Sequence, residues 1–199
     1  MSEDPLVEQL AGKTSLEEVR KIAKECVRCP LSETRTNVVF GEGDHHARIM
    51  FVGEAPGEQE DIKGRPFVGR AGRFLDHLLR VAGLERSMVY ISNVVKCRPP
   101  NNRNPRKTEI EKCNPYLQKQ IQLINPRIIC ILGNVALKTL LGKTPPISEL
   151  RGKPIEREGI IYFPTFHPAA ALYRPAAKTE MEKDMAALRD LLEKMGIVA

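Results

Sequence analysis

Four short apolar runs fix the fold class of this chain: RIMFVG (48–53), MVYISN (88–93), RIICILG (127–133) and IIYFPT (160–165). Each has strand length, is rich in β-branched or aromatic residues, and ends in turn residues. Between and after them lie longer stretches with apolar residues at helical spacing: AGRFLDHLLRVAGL from Ala71, KTEIEKCNPYLQKQIQLI from Lys107, NVALKTLLG from Asn134, and Lys178 to Met195. In the last of these Met181, Met185, Leu188 and Leu192 share one face. A further helix is expected from Ser15 to Lys24, ending at Cys26, because Ser15 with Glu18 three residues on forms a capping box. Strands alternating with helices need right-handed crossovers. The expected fold is therefore a three-layer α/β/α domain around a central, mainly parallel four-stranded sheet. A length of 199 residues suits one full core better than two small ones, so a single domain over residues 1–199 is expected.

Three proline- or glycine-rich stretches are left as loops: GEAPGEQEDIKGRPFVG, KCRPPNNRNP and FHPAAALYRP. They follow the first, second and fourth strands, so the sheet gathers them on the edge where an open α/β fold binds its ligand. The first is no phosphate cradle: its GEAPGEQED turn lacks the lysine of that motif, and Glu58, Glu60 and Asp61 would repel an anion. A formal charge of +6 permits a nucleic acid partner without requiring one. The acidic start MSEDPLVEQL lacks the order of a signal peptide, and no apolar run approaches bilayer length. The chain is expected to be cytoplasmic, with no membrane partner.

In a reducing compartment its five cysteines need an explanation other than a disulfide framework. Cys26 and Cys29, in ECVRCPL, form a C-x2-C whose thiolates a short turn can aim at one metal or cluster. Cys97 follows the second strand and Cys113 lies 16 positions further on, a weaker pair by spacing. Cys130 sits inside RIICILG and reads as core. Thiolate count alone leaves zinc and an iron-sulfur cluster both open.

GEAPGEQED after a strand, then GRPFVGRAG, SNVVKCRPP after the second strand and FHPAAAL after the fourth together resemble the family 4 uracil-DNA glycosylases, the iron-sulfur branch of that superfamily. The resemblance runs from about Cys26 to the last helix, with the motifs in the family's order. It implies a hydrolase of N-glycosyl compounds that flips uracil out of DNA and cleaves its glycosidic bond, leaving an abasic site in monofunctional base excision repair. It also implies that Cys26, Cys29, Cys97 and Cys113 hold a structural 4Fe-4S cluster. The partner would be uracil-containing DNA, single- or double-stranded. The chain is taken as a monomer, and an enzyme of this kind could dock a sliding clamp through a terminus.

By the same resemblance Phe67 stacks on the flipped base and Asn93 pairs with uracil N3–H and O4 through its amide, an arrangement that cytosine cannot satisfy. Glu60 excludes the thymine methyl. His167 donates to uracil O2, where negative charge develops, and backbone N–H groups near Glu54 and Ala55 add to it. The classical branch has an aspartate at the position of Ala55, so no general base is expected there and Glu54 is the remaining catalytic helper. Leu172 is the candidate wedge into the minor groove, with Arg174, Arg98, Arg103 and Arg106 near phosphates. A neighbouring branch carries a K-R-R-I-H insertion that forms a covalent link to DNA; the stretch after Lys96 lacks it. A binding module without a pocket and a zinc-stabilised hydrolase are the rival readings.

Overall fold

The computed structural model describes residues 4–198. Its centre is β2 (Ile49–Gly53) and β4 (Ile128–Leu132), every residue of which is buried. Continuous apolar runs of this kind belong where a parallel sheet is covered on both faces. Strand β3 (Tyr90–Asn93) lies beside β2, and β6 (Ile160–Thr165) beside β4, all four parallel. Cys130 is fully buried in β4, as its position among isoleucines requires.

The sheet has six strands rather than the expected four, in the order β1-β3-β2-β4-β6-β5. The additions are β1 (Glu42–Gly43) and β5 (Ile155–Arg157), each antiparallel to its neighbour and each at an edge. Two or three residues are too few to display a period, so partner hydrogen bonds define these strands rather than their own pattern. A local signal for β5 does exist: Glu158 and Gly159 both take positive φ in the turn to β6, the geometry of a tight hairpin.

The predicted helices form close to the expected limits. They are α2 (Leu16–Lys24), whose Ser15–Glu18 capping box is present, α5 (Arg70–Val81), α6 (Lys107–Ile124), α7 (Asn134–Leu141) and α9 (Pro175–Lys194). The last starts three residues earlier than its apolar pattern, because Pro175 occupies the first turn, where its missing N–H costs nothing. Short helices α1 (Pro5–Ala11), α3 (Leu31–Thr34), α4 (Glu58–Lys63) and α8 (Ile147–Leu150) complete the set. Of these, α4 corrects the reading of its stretch as a loop. Helices α1, α2 and α6 pack together, as do α5 and α9. Among the described residues no helix is long and apolar enough to cross a membrane.

Candidate active site and cysteine cage

The carboxyl ends of β2, β3 and β6 open into a cleft of about 580 Å³, lined by Glu54, Ala55, Glu60, Phe67, Asn93, His167 and Leu172 among others. The sheet register sets Gly53 directly beside Asn93. A side chain at Gly53 would come within 2.5 Å of Asn93 Oδ1 and 2.6 Å of the Phe67 ring, so only glycine lets these groups close over the strand end.

Asn93 is 1% exposed, and its Oδ1 is buried without a hydrogen-bond partner. An orphaned carbonyl of this kind costs about 1–3 kcal/mol unless a ligand satisfies it. Phe67 is 5% exposed, so it belongs to the core as well as to the cleft wall. Its backbone is left-handed at φ 51°, an unfavourable conformation for a bulky residue. The surroundings enforce it. The Arg86 guanidinium donates to the Phe67 carbonyl, and Glu60 Oε1 accepts from the N–H groups of Val68 at 2.9 Å and Gly69 at 2.8 Å.

Glu60 therefore differs from a solvated surface carboxylate. Its Oε2 also accepts from Gly57 N–H at 3.1 Å, so one side chain ties the start of α4 to the turn after Phe67. Its neighbour Asp61 faces the opposite way, buried, and accepts from the Thr36 and Asn37 N–H groups.

His167 ends the segment after β6, before a 3-10 turn over Pro168–Leu172. Its ring lies 5.6 Å from that of Phe67, centroid to centroid, at 30°. Burial lowers its pKa to about 4, against a smaller opposing pull from Glu60, so the ring is neutral at pH 7. Nδ1 accepts from Ala169 N–H at 3.1 Å, which puts the single proton on Nε2 and makes that nitrogen a donor. Glu54 is half-buried, and burial alone raises its carboxyl above the usual carboxylate range.

Of the outer residues, Leu172 is half-buried on the cleft, whereas the next residue, Tyr173, is 80% exposed at its mouth. Arg174 is exposed, its guanidinium 5.1 Å from the Phe166 ring centroid. Arg98 donates to Asn102 at 2.8 Å. Arg103 makes a two-pronged pair with buried Glu109, at 2.9 and 2.7 Å, which braces its loop against α6.

The other expected cluster also assembles. Cys26, Cys29, Cys97 and Cys113, from three distant segments, line one small cavity with Arg35 and Tyr116. Arg35 Nη1 donates to Cys97 Sγ at 3.4 Å, and the Lys96 amide to Cys113 Sγ at 3.3 Å. Burial raises the Cys29 and Cys97 thiols and pushes Cys113 up to about 12, so a bound cation is what would hold them as thiolates. Among the described residues no three Cys, His, Asp or Glu side chains are set around a single metal ion. Four thiols lining one cavity are a donor set suited to a thiolate-bound metal group.

Sequence reasoning missed Lys96 and Gln120, which lie between the two sites. Lys96 is 2% exposed and Gln120 0%. A lysine after a strand and a glutamine on a helix both read as surface, and nothing in their spacing says otherwise.

Residues 40–191 match the family model described as the uracil DNA glycosylase superfamily. The chain is 48% identical over 186 residues to a type-4 uracil-DNA glycosylase of Sulfurisphaera tokodaii, covering 89% of this chain and 84% of that one. A type-4 uracil-DNA glycosylase of Thermotoga maritima is 52% identical over 159 residues, covering 79% and 83%. A type-5 uracil-DNA glycosylase of Pyrobaculum aerophilum is more distant, at 32% over 145 residues, covering 64% and 63%.

Proposed function

The chain belongs to the uracil DNA glycosylase superfamily, and from that premise we propose that it flips uracil from DNA into the cleft and hydrolyses the bond from C1′ to N1, leaving an abasic site. The observation that carries this reading is the orphaned Asn93 Oδ1, in the same cleft as the Phe67 ring and the neutral His167. Uracil supplies what each wall lacks. Its N3–H donates to Asn93 Oδ1, its O4 accepts from Asn93 Nδ2, and its face stacks on Phe67. Cytosine turns a lone pair toward Oδ1 and an amine toward Nδ2, so it leaves buried groups unpaired and is rejected. Glu60, pinned by three backbone donors, is the rigid edge against which the thymine methyl would clash.

Breaking the glycosidic bond moves an electron pair onto uracil, chiefly O2, and leaves positive charge on the sugar. His167 Nε2–H donates to O2 as that charge develops, and it does so without first losing a proton, because the ring is already neutral. Ala55 accepts no proton, so bond breaking runs ahead of water attack. Glu54 is the carboxyl left in the cleft to orient that water and to offset the sugar's charge. All of these groups come from one chain, so a monomer suffices.

We assign Cys26, Cys29, Cys97 and Cys113 as ligands of a 4Fe-4S cluster, in preference to zinc, because the four thiols line one cavity and the motifs of the chain resemble the iron-sulfur branch of the superfamily. When bound, the cluster would supply cross-linking of the loop after α2, the segment after β3 and helix α6, rather than chemistry in the cleft.

The test is excision from a duplex with one uracil, with a matched thymine duplex as control and alkaline cleavage of the product. Strand breakage only at uracil is expected. A folded, iron-loaded protein that breaks neither strand refutes the reading.

A further inference from the structure

We infer that Lys96 is the positioning residue that couples the cysteine cage to the uracil-reading amide, holding the main chain of Asn93 with its ammonium and Cys113 with its own amide. The inference rests on the reading of the cleft as a uracil site and adds a residue to it.

The Lys96 side chain makes three hydrogen bonds, one for each ammonium proton: to Ser92 Oγ at 2.6 Å, to the Asn93 carbonyl at 2.7 Å and to Gln120 Oε1 at 2.6 Å. All three acceptors are uncharged. Gln120 is itself fixed, donating through Nε2 to the Phe40 carbonyl at 2.7 Å and to the Tyr90 hydroxyl at 3.3 Å. A buried ammonium without a carboxylate is costly, and an apolar residue of similar length would fill the space at less expense. Packing alone therefore does not account for lysine here.

The link from Lys96 to the cage runs through its main chain. The Lys96 amide donates to Cys113 Sγ at 3.3 Å, and Cys97 is the next residue in the chain. Helix α6 completes the link, since Cys113 and Gln120 are seven residues apart, two turns along one face, and both meet Lys96. The cage thus holds the Lys96 main chain, and the Lys96 side chain holds the peptide from which Asn93 projects.

This matters because the Asn93 Oδ1 has no partner in the protein to aim it. Its direction is inherited from the main chain, which is held by pairing with β2 and by Lys96. A shift of a few tenths of an ångström there would spoil two hydrogen bonds to uracil while leaving the fold intact.

Lys96→Met keeps the length and removes the charge and the donors; Lys96→Gln, shorter but still a donor, serves where the first is insoluble. Two readouts are taken on iron-loaded protein. One is the ratio of dissociation constants for duplexes carrying non-cleavable 2′-fluoro-deoxyuridine or thymidine at fixed salt; the other is the reduction potential of the cluster. The expected result is a uracil preference lowered about tenfold, the size of one lost aligned hydrogen bond, together with a potential shifted negative because the Lys96 amide, freed at its side chain, loosens its hydrogen bond to Cys113 Sγ. Ser92→Ala removes one acceptor and should change the preference by less than about threefold. A variant that moves only one of the two readouts, or neither, overturns the coupling. Wild-type protein that does not prefer uracil would instead refute the assignment of the cleft, which separates the two failures.

Discussion

The cleft and the cysteine cage meet across one pentapeptide, Asn93 to Cys97, yet they are held in different ways. The cleft is held chiefly by protein hydrogen bonds. Glu60 takes three backbone donors, Arg86 holds the Phe67 carbonyl, Ala169 fixes the His167 tautomer, and Asn93 Oδ1 is left open. The cage is the reverse, for its thiols come from three segments and have few hydrogen bonds to hold them together. Apart from the Lys96 link, the cleft has its contacts in place before a ligand arrives, whereas the cage has few of its own. Substitutions in the two should therefore fail differently.

The largest effect expected is Cys97→Ala. Losing a ligand of a buried metal group belongs to the class of changes worth more than about 4 kcal/mol, and in a chain of this length that lowers the melting temperature by about 10 °C or more. Thermal unfolding with iron analysis measures it; an iron-free variant that melts like wild type would remove the structural role from the cage. Next come Asn93→Ala and His167→Ala, each expected to lower kcat/KM by about a hundredfold to a thousandfold, with iron content unchanged. If either variant loses its iron instead, the cleft is not independent of the cage in the sense drawn above.

A smaller effect is set by His167. Its rate contribution needs the neutral ring, so the ratio of wild-type to His167→Ala kcat should be flat from pH 8 to about pH 5 and fall as the pH drops through about 4, whatever Glu54 adds to both profiles. Stability follows the same group. The unfolded histidine takes up a proton near 6.5 and the folded one only near 4, so the contribution present above 6.5 shrinks as pH falls across that window. A ratio that falls already at pH 6.5 would mean that burial does not hold the ring neutral. Smallest of all is Val27→Ser. Val27 lies between two cage cysteines but is 80% exposed, so stability and iron content should stay within about 0.5 kcal/mol and a few per cent of wild type. A large loss there would mean that the C-x2-C turn needs more than its sulfurs.

What could be read from the sequence was whatever expresses itself locally. The central strands announce themselves because they are apolar on both faces, and α2 because its cap is written in Ser15 and Glu18. The motifs placed Asn93, Phe67 and His167 together, and the fold brings all three to one cleft. Legibility failed where a side chain takes its meaning from elsewhere in the chain. Glu60 resembles a surface carboxylate until the turn at Val68 folds back onto it, and the pairing of Arg103 with buried Glu109 shows only in the fold. Lys96 and Gln120 are the extreme case, since neither has a local partner that could mark it as buried. The edge strands were missed because a strand of two or three residues is made by its neighbour.

Those two edge strands carry a consequence of their own. An exposed strand rim is a template on which a second molecule can polymerise. Here each rim is a stub: Glu42–Gly43, with Glu42 paired to Arg65 and Arg86, and Ile155–Arg157, with two charged residues of three. The long apolar strands are thereby kept inside, away from neighbouring copies. For a protein that would crowd along a polyanion at high local density, such edges discourage sheet-to-sheet aggregation while leaving each molecule free to move on.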